Sequence, residues 1–378
     1  MIYADHAATT KISETAKLAM LSAMEKDWYN PSTLYTPGQQ ASGTLMDARV
    51  RIAHCLGCLP KEIYFTSGGS EADNQAILSA AAIGKRQGKM HIISTAFEHH
   101  AVLHTLKKLE KEGFEITLLD VGEKGIVSPV QVEKAIRPDT ILVTVMYANN
   151  EIGTIQPIRE IGAICRKNGV LFHTDAVQAA GHLQINVEKD QIDMLSLSAH
   201  KFNGPKGIGV LYAKTGVFLT NLIEGGGQER GKRAGTENLP AIVGMAAALE
   251  EACALQKERS IYVTKLRDQL IDGLKKIPGA LLNGDATNRL PGNVNFCFPD
   301  TEAEGLLLLL DNKGICASSG SACTSGFLDP SHVLLAIGRD PQTARGSLRL
   351  TLDYENTPEE VETIIEAVTD TVRILRGC

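Results

Sequence analysis

Residues 196–209 read Ser-Leu-Ser-Ala-His-Lys-Phe-Asn-Gly-Pro-Lys-Gly-Ile-Gly. Apolar runs that are typical of strands lie on either side of this turn, over residues 192–197 and 208–212. The lysine is Lys201, and between two buried strands it would be desolvated, which suits a nucleophile toward carbonyl groups. Alternatively, Lys201 only ends a strand in a Gly-Pro turn. This stretch by itself favours neither interpretation.

Strand and helix patterns alternate through most of the chain around this stretch. Short apolar strands are expected at residues 62–66, 91–94, 115–119, 140–146 and 170–174, with helices between them at residues 71–86, 99–112, 129–136 and 158–167. Strands that are apolar on both faces and alternate with helices are typical of a parallel sheet covered by helices. We therefore expect an α/β fold with a large wound domain over residues 13–255.

The pattern changes toward the end of the chain. A helical segment over about residues 239–277, with a break near Ser260, precedes expected strands at 293–298 and 347–352 and a helix at 358–375. Pro358 after a threonine is a typical first residue of a helix. These patterns predict a smaller α+β domain made of residues 1–12 and 256–378, with a mobile small-residue loop at about 317–330.

Composition narrows the class of protein. The chain has 378 residues, of which 43% are hydrophobic and 22% charged, as in ordinary soluble proteins with a sizeable core. A net charge of −6 offers no basic surface for nucleic acid or anionic membranes. The first residues do not resemble a signal peptide, and the leucine run Leu306–Leu310 is too short to span a bilayer. We expect a cytoplasmic protein.

The eight cysteines are scattered and do not form the framework of a secreted disulfide-rich domain. Cys55 and Cys58 form a C-x-x-C at the end of a helix pattern. Because no second pair follows that could complete a zinc site, buried structural thiols are the favoured interpretation.

Polar residues follow several of the expected strands, at the edge where open α/β sheets bind ligands. Residues 66–71, Thr-Ser-Gly-Gly-Ser-Glu, join a strand to a helix and could form a phosphate-binding cup, although a helix capped by Ser70 is the commoner outcome. Asp175 ends another strand, where it could hold a protonated pyridine nitrogen or cap a helix.

His99, His100 and His104 follow a third strand. Their order differs from H-E-x-x-H and no third carboxylate ligand is evident, so a metal site is disfavoured. A single histidine at this edge could instead cover an aromatic ligand.

Two further residues could carry chemistry near the end of the chain. Cys323 lies in the small-residue loop and would be an exposed, reactive thiol, or an incidental cysteine on a surface loop. Arg349 lies on the polar side of a leucine-backed strand, where it could bind a carboxylate with two parallel hydrogen bonds or be merely exposed.

Together these motifs resemble one family, the NifS/IscS-like cysteine desulfurases of class I, which are pyridoxal-phosphate enzymes of fold type I within the class V aminotransferases. The resemblance covers essentially the whole chain, in the family's order, through residues 5–10, 30–32, 65–74, 98–99, 149–153, 173–178, 198–207, 225–236 and 318–325.

The resemblance implies pyridoxal 5′-phosphate (PLP) as the cofactor. Lys201 resembles the lysine that binds PLP covalently and then moves the substrate's Cα proton, and Asp175 resembles the partner of the pyridine N–H. His99 would stack on the ring and assist proton transfer. The other cofactor-binding residues that it implies are Gly69, Ser70, Asn150, Gln178, Ser198, His200 and, from the second subunit of a homodimer, Thr236.

For the reaction, the resemblance implies conversion of L-cysteine to L-alanine. Arg349, Asn150 and Asn30 would bind the substrate, and Cys323 would take its sulfur as a persulfide. The catalytic residues are then Lys201, Cys323 and His99. The sulfur would pass to an acceptor protein for iron–sulfur cluster assembly or tRNA thiolation, with no direct contact to nucleic acid or membrane.

Three positions depart from the family pattern: Ser70 replaces threonine, Ala199 replaces glycine and Asn203 replaces tyrosine. The chain ends soon after its last helix, which makes a tRNA-thiolation protein as plausible an acceptor as a scaffold. Alternative functions are a selenocysteine lyase or an aminotransferase on the same fold, or a non-catalytic assembly scaffold. An aminotransferase would not need Cys323, and a scaffold would not need the catalytic set.

Overall fold

The computed structural model describes residues 1–320 and 330–377. Its strands are β1 (Ile2–Tyr3), β2 (Ile63–Thr66), β3 (His91–Thr95), β4 (Glu115–Leu119), β5 (Thr140–Thr144), β6 (Leu171–Asp175), β7 (Met194–Ser198), β8 (Gly209–Ala213), β9 (Leu281–Leu282), β10 (Asn293–Cys297), β11 (Ile315–Cys316) and β12 (Ser347–Thr351). Its helices are α1 (Glu14–Lys26), α2 (Thr36–Leu56), α3 (Gly69–Gln87), α4 (His100–Lys111), α5 (Pro129–Ala135), α6 (Ile158–Asn168), α7 (Gln228–Gly231), α8 (Leu239–Leu274), α9 (Ala303–Asn312), α10 (His332–Ala336), α11 (Pro341–Arg345) and α12 (Pro358–Leu375).

A seven-stranded sheet in the order β2-β8-β7-β6-β5-β3-β4 forms the centre of the molecule. Strand β8 runs antiparallel to both of its neighbours, and the other pairs are parallel. Every residue of β3, β5, β7 and β8 is buried. The predicted α/β fold with a mostly parallel, helix-covered sheet is confirmed.

Helix α3 lies across this sheet and contacts β5, β6, β7 and β8. Its alanines Ala72, Ala76 and Ala80 are fully buried. Small side chains at this spacing lie on one face of a helix and let its backbone come close to the strands. The first turn of α3 therefore lies directly at the carboxyl edge of the sheet.

A second hydrophobic core lies beside a three-stranded antiparallel sheet in the order β12-β10-β9. Helices α8, α9 and α12 supply much of it, through residues such as Leu270, Leu310 and Val368. Ala4 belongs to this core, and β1 pairs in parallel with β11. The first residues of the chain are thus built into its last part.

Helix α8 is continuous from Leu239 to Leu274, so the predicted break near Ser260 is wrong. The Ser260 hydroxyl donates to the carbonyl oxygen of His182, at 3.2 Å, outside the helix. A polar residue that finds its partner elsewhere does not interrupt the backbone hydrogen bonds of the helix. The proposed division at residue 255 falls inside α8, and the two-domain description stays a prediction.

Among the described residues, α8 is also the one helix long and apolar enough to cross a membrane by length and composition. Of its most apolar window, 61% is buried inside the protein. It packs against α1, α2 and α12, as expected of a core helix.

Cys55 and Cys58 are half-buried and pack against the large core, rather than being fully buried. The Cys55 thiol lies near that of Cys253 on α8. The six cysteines that the structure describes are all free thiols.

Candidate active site

A cleft of about 670 Å³ opens at the carboxyl edge of the large sheet. It brings together ten of the residues that the sequence predicts for the site: Gly69, Ser70, His99, Asn150, Asp175, Gln178, Ser198, His200, Lys201 and Arg349. The cleft also contains residues of the N-terminal segment, including Asp5 and Thr9. Parallel strands end at the same edge of a sheet, which is why residues so far apart in sequence meet here.

One end of the cleft is formed by the start of α3. The helix begins at Gly69 after Gly68, so Ser70 lies in the first turn and the alternative of Ser70 as the cap is wrong. A Cβ on Gly69 would come within 2.7 Å of Val177 Cγ2, so only glycine fits this approach. Free backbone N–H groups at a helix N-terminus bind phosphate, and Ser198 borders the same end of the cleft.

His200 follows Ser198 and also faces the cleft. Its Nδ1 lies 3.2 Å from Thr9 Oγ1. Burial, followed by the charges of Lys201 and Lys206, lowers the pKa of His200 to about 4. The imidazole is therefore neutral near pH 7 and acts as a hydrogen-bonding group rather than as a cation.

Two buried carboxyl groups lie side by side in the cleft. Asp175, at the end of β6, is 5% exposed, and its Oδ1 accepts a hydrogen bond of 2.9 Å from Val177 N. Burial raises the pKa of Asp175, while His99 and Lys201 oppose the shift. Asp73 of α3 is 1% exposed, and burial together with Asp175 raises its pKa well above the usual range.

Asp73 was not predicted from the sequence. Its Oδ1 accepts no hydrogen bond within the described part of the chain, although it lies 3.7 Å from His173 Nε2. Burial lowers the pKa of His173 to about 3, so this contact is not an ion pair. The available signal was an aspartate on the alanine-rich face of α3, where an apolar residue would be usual.

His99 caps the start of α4. Its Nδ1 accepts a hydrogen bond of 3.1 Å from Ala101 N, so the neutral ring carries its proton on Nε2. Candidate ligand atoms of Asp73, His99 and Asp175 all lie within 4.8 Å of one another, the one such group found among the described residues. Neither His100 nor His104 belongs to it.

Lys201 projects into the cleft from the short turn after β7. Its Nζ donates to the carbonyl oxygens of Ala7 and Ala8, at 2.5 and 2.8 Å. Gln178 Nε2 donates to the same Ala7 oxygen at 3.0 Å. The N-terminal segment thus holds the Lys201 amine beside Gln178. This position favours a role in the cleft over the alternative that Lys201 only ends a strand.

Arg349 is 4% exposed, so the alternative of an exposed arginine is wrong. Its guanidinium donates to Asp5 Oδ1 at 3.0 Å and to the carbonyl oxygen of Asn150 at 3.2 Å. Its Nε is buried and has no hydrogen-bond partner among residues 1–320 and 330–377. Donors therefore remain for a further anionic group in the cleft.

Two predicted site residues that the structure describes do not line the cleft. Thr236 lies in an adjoining recess with Arg233 and Gly235. Asn30 is exposed, and its Oδ1 accepts a hydrogen bond from Ser32 N. Cys323 lies outside the described residues, as does most of the loop expected to be mobile at about 317–330.

Comparison with known proteins identifies relatives of the chain. The family model described as aminotransferase class-V matches residues 2–364. The cysteine desulfurase IscS of Methanosarcina thermophila is 52% identical over 376 residues, which cover 100% of this chain and 93% of that protein. A solved NifS-like protein superimposes with a TM-score of 0.92 at 37% identity, covering 99% of both chains.

A further solved structure, described as SspA in complex with cysteine, has a TM-score of 0.82 and 37% identity. It matches 93% of this chain and 99% of its own.

Members of this family use PLP, and the cleft fits that cofactor. The phosphate matches the start of α3, and a protonated pyridine nitrogen matches a buried pair of carboxyl groups in which Asp73 Oδ1 accepts no hydrogen bond from the residues that the structure describes. The Lys201 side chain lines the same cleft. When bound, PLP supplies an electron sink for charge at the substrate's Cα.

The fold, the residues of the cleft and the full-length similarity thus indicate the same family. The chain belongs to the aminotransferase class-V family and, within it, to the PLP-dependent NifS/IscS-like cysteine desulfurases.

Proposed function

We propose that this chain converts L-cysteine to L-alanine and captures the sulfur as a persulfide on Cys323. The C–S bond of the substrate breaks, an S–S bond forms on the enzyme thiol, and the thiol proton balances the new C–H bond of alanine. The observation that carries the proposal is the shared cleft, in which an amine, a buried carboxylate pair and a guanidinium face one another.

The substrate carboxylate would bind Arg349, whose guanidinium has donors to spare beyond its bonds to Asp5 and Asn150. Lys201 would move the Cα proton, because its amine lies in the cleft beside these groups. His99 would donate from Nε2, since its Nδ1 is occupied. A structural relative at 37% identity is described in complex with cysteine, which supports the substrate.

The cofactor would be held at both ends. Gly69, Ser70, Ser198 and His200 would bind its phosphate, and Asp175 its ring nitrogen. Asn150 and Gln178 complete the proposed cofactor-binding set that lines the cleft.

We further propose a homodimer in which Thr236 completes the site of the neighbouring subunit. Support comes from Thr236 itself, which does not line the cleft of its own chain but lies in an adjoining recess that shares Ser67 and Gly207 with it. Asn30, which is likewise outside the cleft, stays a predicted substrate-binding residue.

The proposed sulfur acceptor is a protein of iron–sulfur cluster assembly or tRNA thiolation. Free thiols at all six described cysteines support a reducing compartment, and we propose a cytoplasmic location.

The test compares purified wild type with Lys201→Ala and Cys323→Ala. Wild type should absorb as a PLP enzyme and release both alanine and sulfide from L-cysteine under reducing conditions. Lys201→Ala should lose the covalent cofactor absorption and all turnover. Cys323→Ala should keep the absorption and lose sulfide release.

Lys214→Ala, at an exposed strand end paired with Asp193, is the matched control and should behave as wild type. Unchanged sulfide release in Cys323→Ala would refute the assigned nucleophile. Turnover of selenocysteine without any turnover of cysteine would refute L-cysteine as the substrate.

A further inference from the structure

Glu151 is a buried carboxyl group at the edge of the cleft for which the sequence motif suggests no role. Its side chain is 3% exposed. Its Oε2 accepts a hydrogen bond of 2.5 Å from the Ser331 hydroxyl. A Cβ on Gly320 would overlap the same oxygen, so the Gly320 backbone lies directly against the carboxylate.

Gly320 and Ser331 border residues 321–329, which include Cys323. One carboxylate therefore contacts the chain on both sides of the cysteine. Before the segment, Ser318 and Arg349 exchange two backbone hydrogen bonds, of 3.1 and 2.6 Å. After it, Ser331 Oγ accepts from Val333 N at 3.1 Å and begins α10.

Glu151 is itself held rigidly. Its N–H donates to Asn149 Oδ1 at 2.8 Å, and its carbonyl oxygen accepts from the side chains of Asn293 and Asn295, at 3.2 and 3.1 Å. The adjacent Asn150 carbonyl accepts from Arg349. The turn therefore links the proposed substrate-carboxylate site to both flanks of the segment.

A buried carboxyl needs a reason to be there, because desolvation is costly. Burial raises the pKa of Glu151 to about 7, and Ser331 and the charge of Arg349 on β12 oppose the shift. An apolar residue would fill the space without this cost, but it could not accept the Ser331 hydrogen bond.

We propose that Glu151 is a positioning residue for sulfur transfer. By holding Gly320 and Ser331 to the turn that carries Asn150, its carboxylate fixes described residues that precede and follow Cys323 in the sequence. This inference rests on the proposed desulfurase function, and it assigns Glu151 to the sulfur step rather than to proton removal at Cα.

The test measures two reactions of the holoenzyme. Sulfide release from L-cysteine needs Cys323, whereas exchange of the Cα hydrogen of L-alanine in heavy water, followed by proton NMR, needs only PLP, Lys201 and substrate binding. The variants are Glu151→Ala, Ser331→Ala and Gly320→Ala. The first removes the carboxylate, the second removes the hydroxyl that donates to it, and the third places a methyl group where the carboxylate oxygen lies.

We expect kcat for sulfide release to fall by about 10–100-fold, the scale of a misplacement of about 1 Å. Exchange of alanine and its spectroscopic dissociation constant should stay within about threefold of wild type, because misplacement of the thiol leaves the proton-transfer geometry intact. Equal losses in both reactions, or no loss in either, would overturn the proposal.

Ser13→Ala is the matched control. Like Ser331, Ser13 caps a helix, since its hydroxyl accepts from Ala16 N at the start of α1, but it does not line the cleft. It should leave both reactions unchanged; a sulfide-specific loss there would contradict the assignment to Glu151. If Glu151→Ala does not fold, the other two variants decide. Wild type that exchanges alanine without releasing sulfide would instead refute the proposed function.

Discussion

Glu98 precedes His99, which lines the cleft, and is completely buried. The Thr95 hydroxyl donates to it at 2.7 Å, and Met146 N donates to both carboxyl oxygens, at 3.1 and 3.0 Å. Burial nevertheless raises the pKa of Glu98 to about 8, and the charge of Asp175 adds to the shift. At neutral pH this group holds a proton in the folded protein and loses it on unfolding.

This difference predicts a pH dependence of stability. The folded pKa lies above the unfolded value of about 4.3, so the contribution of Glu98 is fully present below about pH 4.3 and is lost as the pH rises toward about 8. In Glu98→Gln, the free energy of unfolding from urea titrations should therefore fall less steeply between pH 5 and pH 8 than in wild type.

Glu62→Gln provides a control of opposite sign. Hydrogen bonds from Leu59 and Thr215 outweigh burial and lower the pKa of Glu62. Its contribution is present above the unfolded pKa and is lost as the pH falls, so the variant should lose stability at pH 7 and match wild type in acid. A slope in Glu98→Gln identical to wild type would contradict the raised pKa.

At the residue scale, functional residues that follow expected strands were predictable, whereas carboxyl groups away from these positions were not. Asp175 and Lys201 stand at the ends of recognisable strands, so their positions follow from the sheet rule. Asp73, Glu98 and Glu151 are buried by residues distant in sequence, and single-chain patterns do not report such contacts.

At the scale of elements, a buried ion pair fixes the segment that leads to Thr236. Arg49 of α2 bonds both carboxylate oxygens of Glu229 on α7, at 2.8 and 2.5 Å. Glu229 also accepts from Phe65 N on β2, at 2.9 Å. Glu229 and Arg230 have φ of 45° and 57°, which is uncommon for residues other than glycine and is maintained here by the surrounding bonds.

Removing one partner should therefore be costly. Arg49→Ala leaves Glu229 buried without its cation and should lower the free energy of unfolding by about 3–5 kcal/mol in chemical denaturation. Arg51→Ala, on the same helix, removes partly exposed pairs with Glu250 and Asp47 and should cost no more than about 1 kcal/mol. Equal losses in the two variants would show that the buried pair has no special role.

Among the elements, the periodic patterns located most helices and strands of the large sheet. The antiparallel direction of β8 was not predicted, because an apolar run carries no information about its direction. The predicted interruption of α8 was wrong for a related reason. Whether a serine interrupts a helix depends on its hydrogen-bond partner, and the sequence does not show that Ser260 bonds the His182 carbonyl.

At the scale of the whole molecule, Thr236 does not line the cleft with Lys201 but lies in an adjoining recess that shares Ser67 and Gly207 with it. If each active site takes Thr236 from the second subunit, inactive Lys201→Ala and weakly PLP-binding Thr236→Ala chains should complement each other. Unfolding and refolding an equal mixture should restore roughly a quarter of wild-type sulfide release at limiting PLP, since half of the dimers are mixed and each has one intact site.

A mixture of Lys201→Ala with Asp175→Ala is the control, because both residues belong to the cleft of one chain and no intact site can form. Activity no greater than that of the separate variants in the first mixture would contradict the shared site.

The assembly of the two cores was only partly predictable. The sequence indicates a change of character after residue 255, yet the pairing of β1 with β11 joins segments that no local pattern connects. Contacts of this kind depend on the complete fold rather than on periodicity.

This pairing has a consequence for synthesis of the protein. Residues 2–8 are translated more than 300 residues before β11 and Thr351, which bind them through backbone and side-chain hydrogen bonds. Ala7 and Ala8, which orient the Lys201 amine, can take their places only once both have been made. The cleft is therefore completed only after Thr351 has been made, and a chain interrupted before β11 would contain Lys201 but not the residues that hold Ala7 and Ala8 in place.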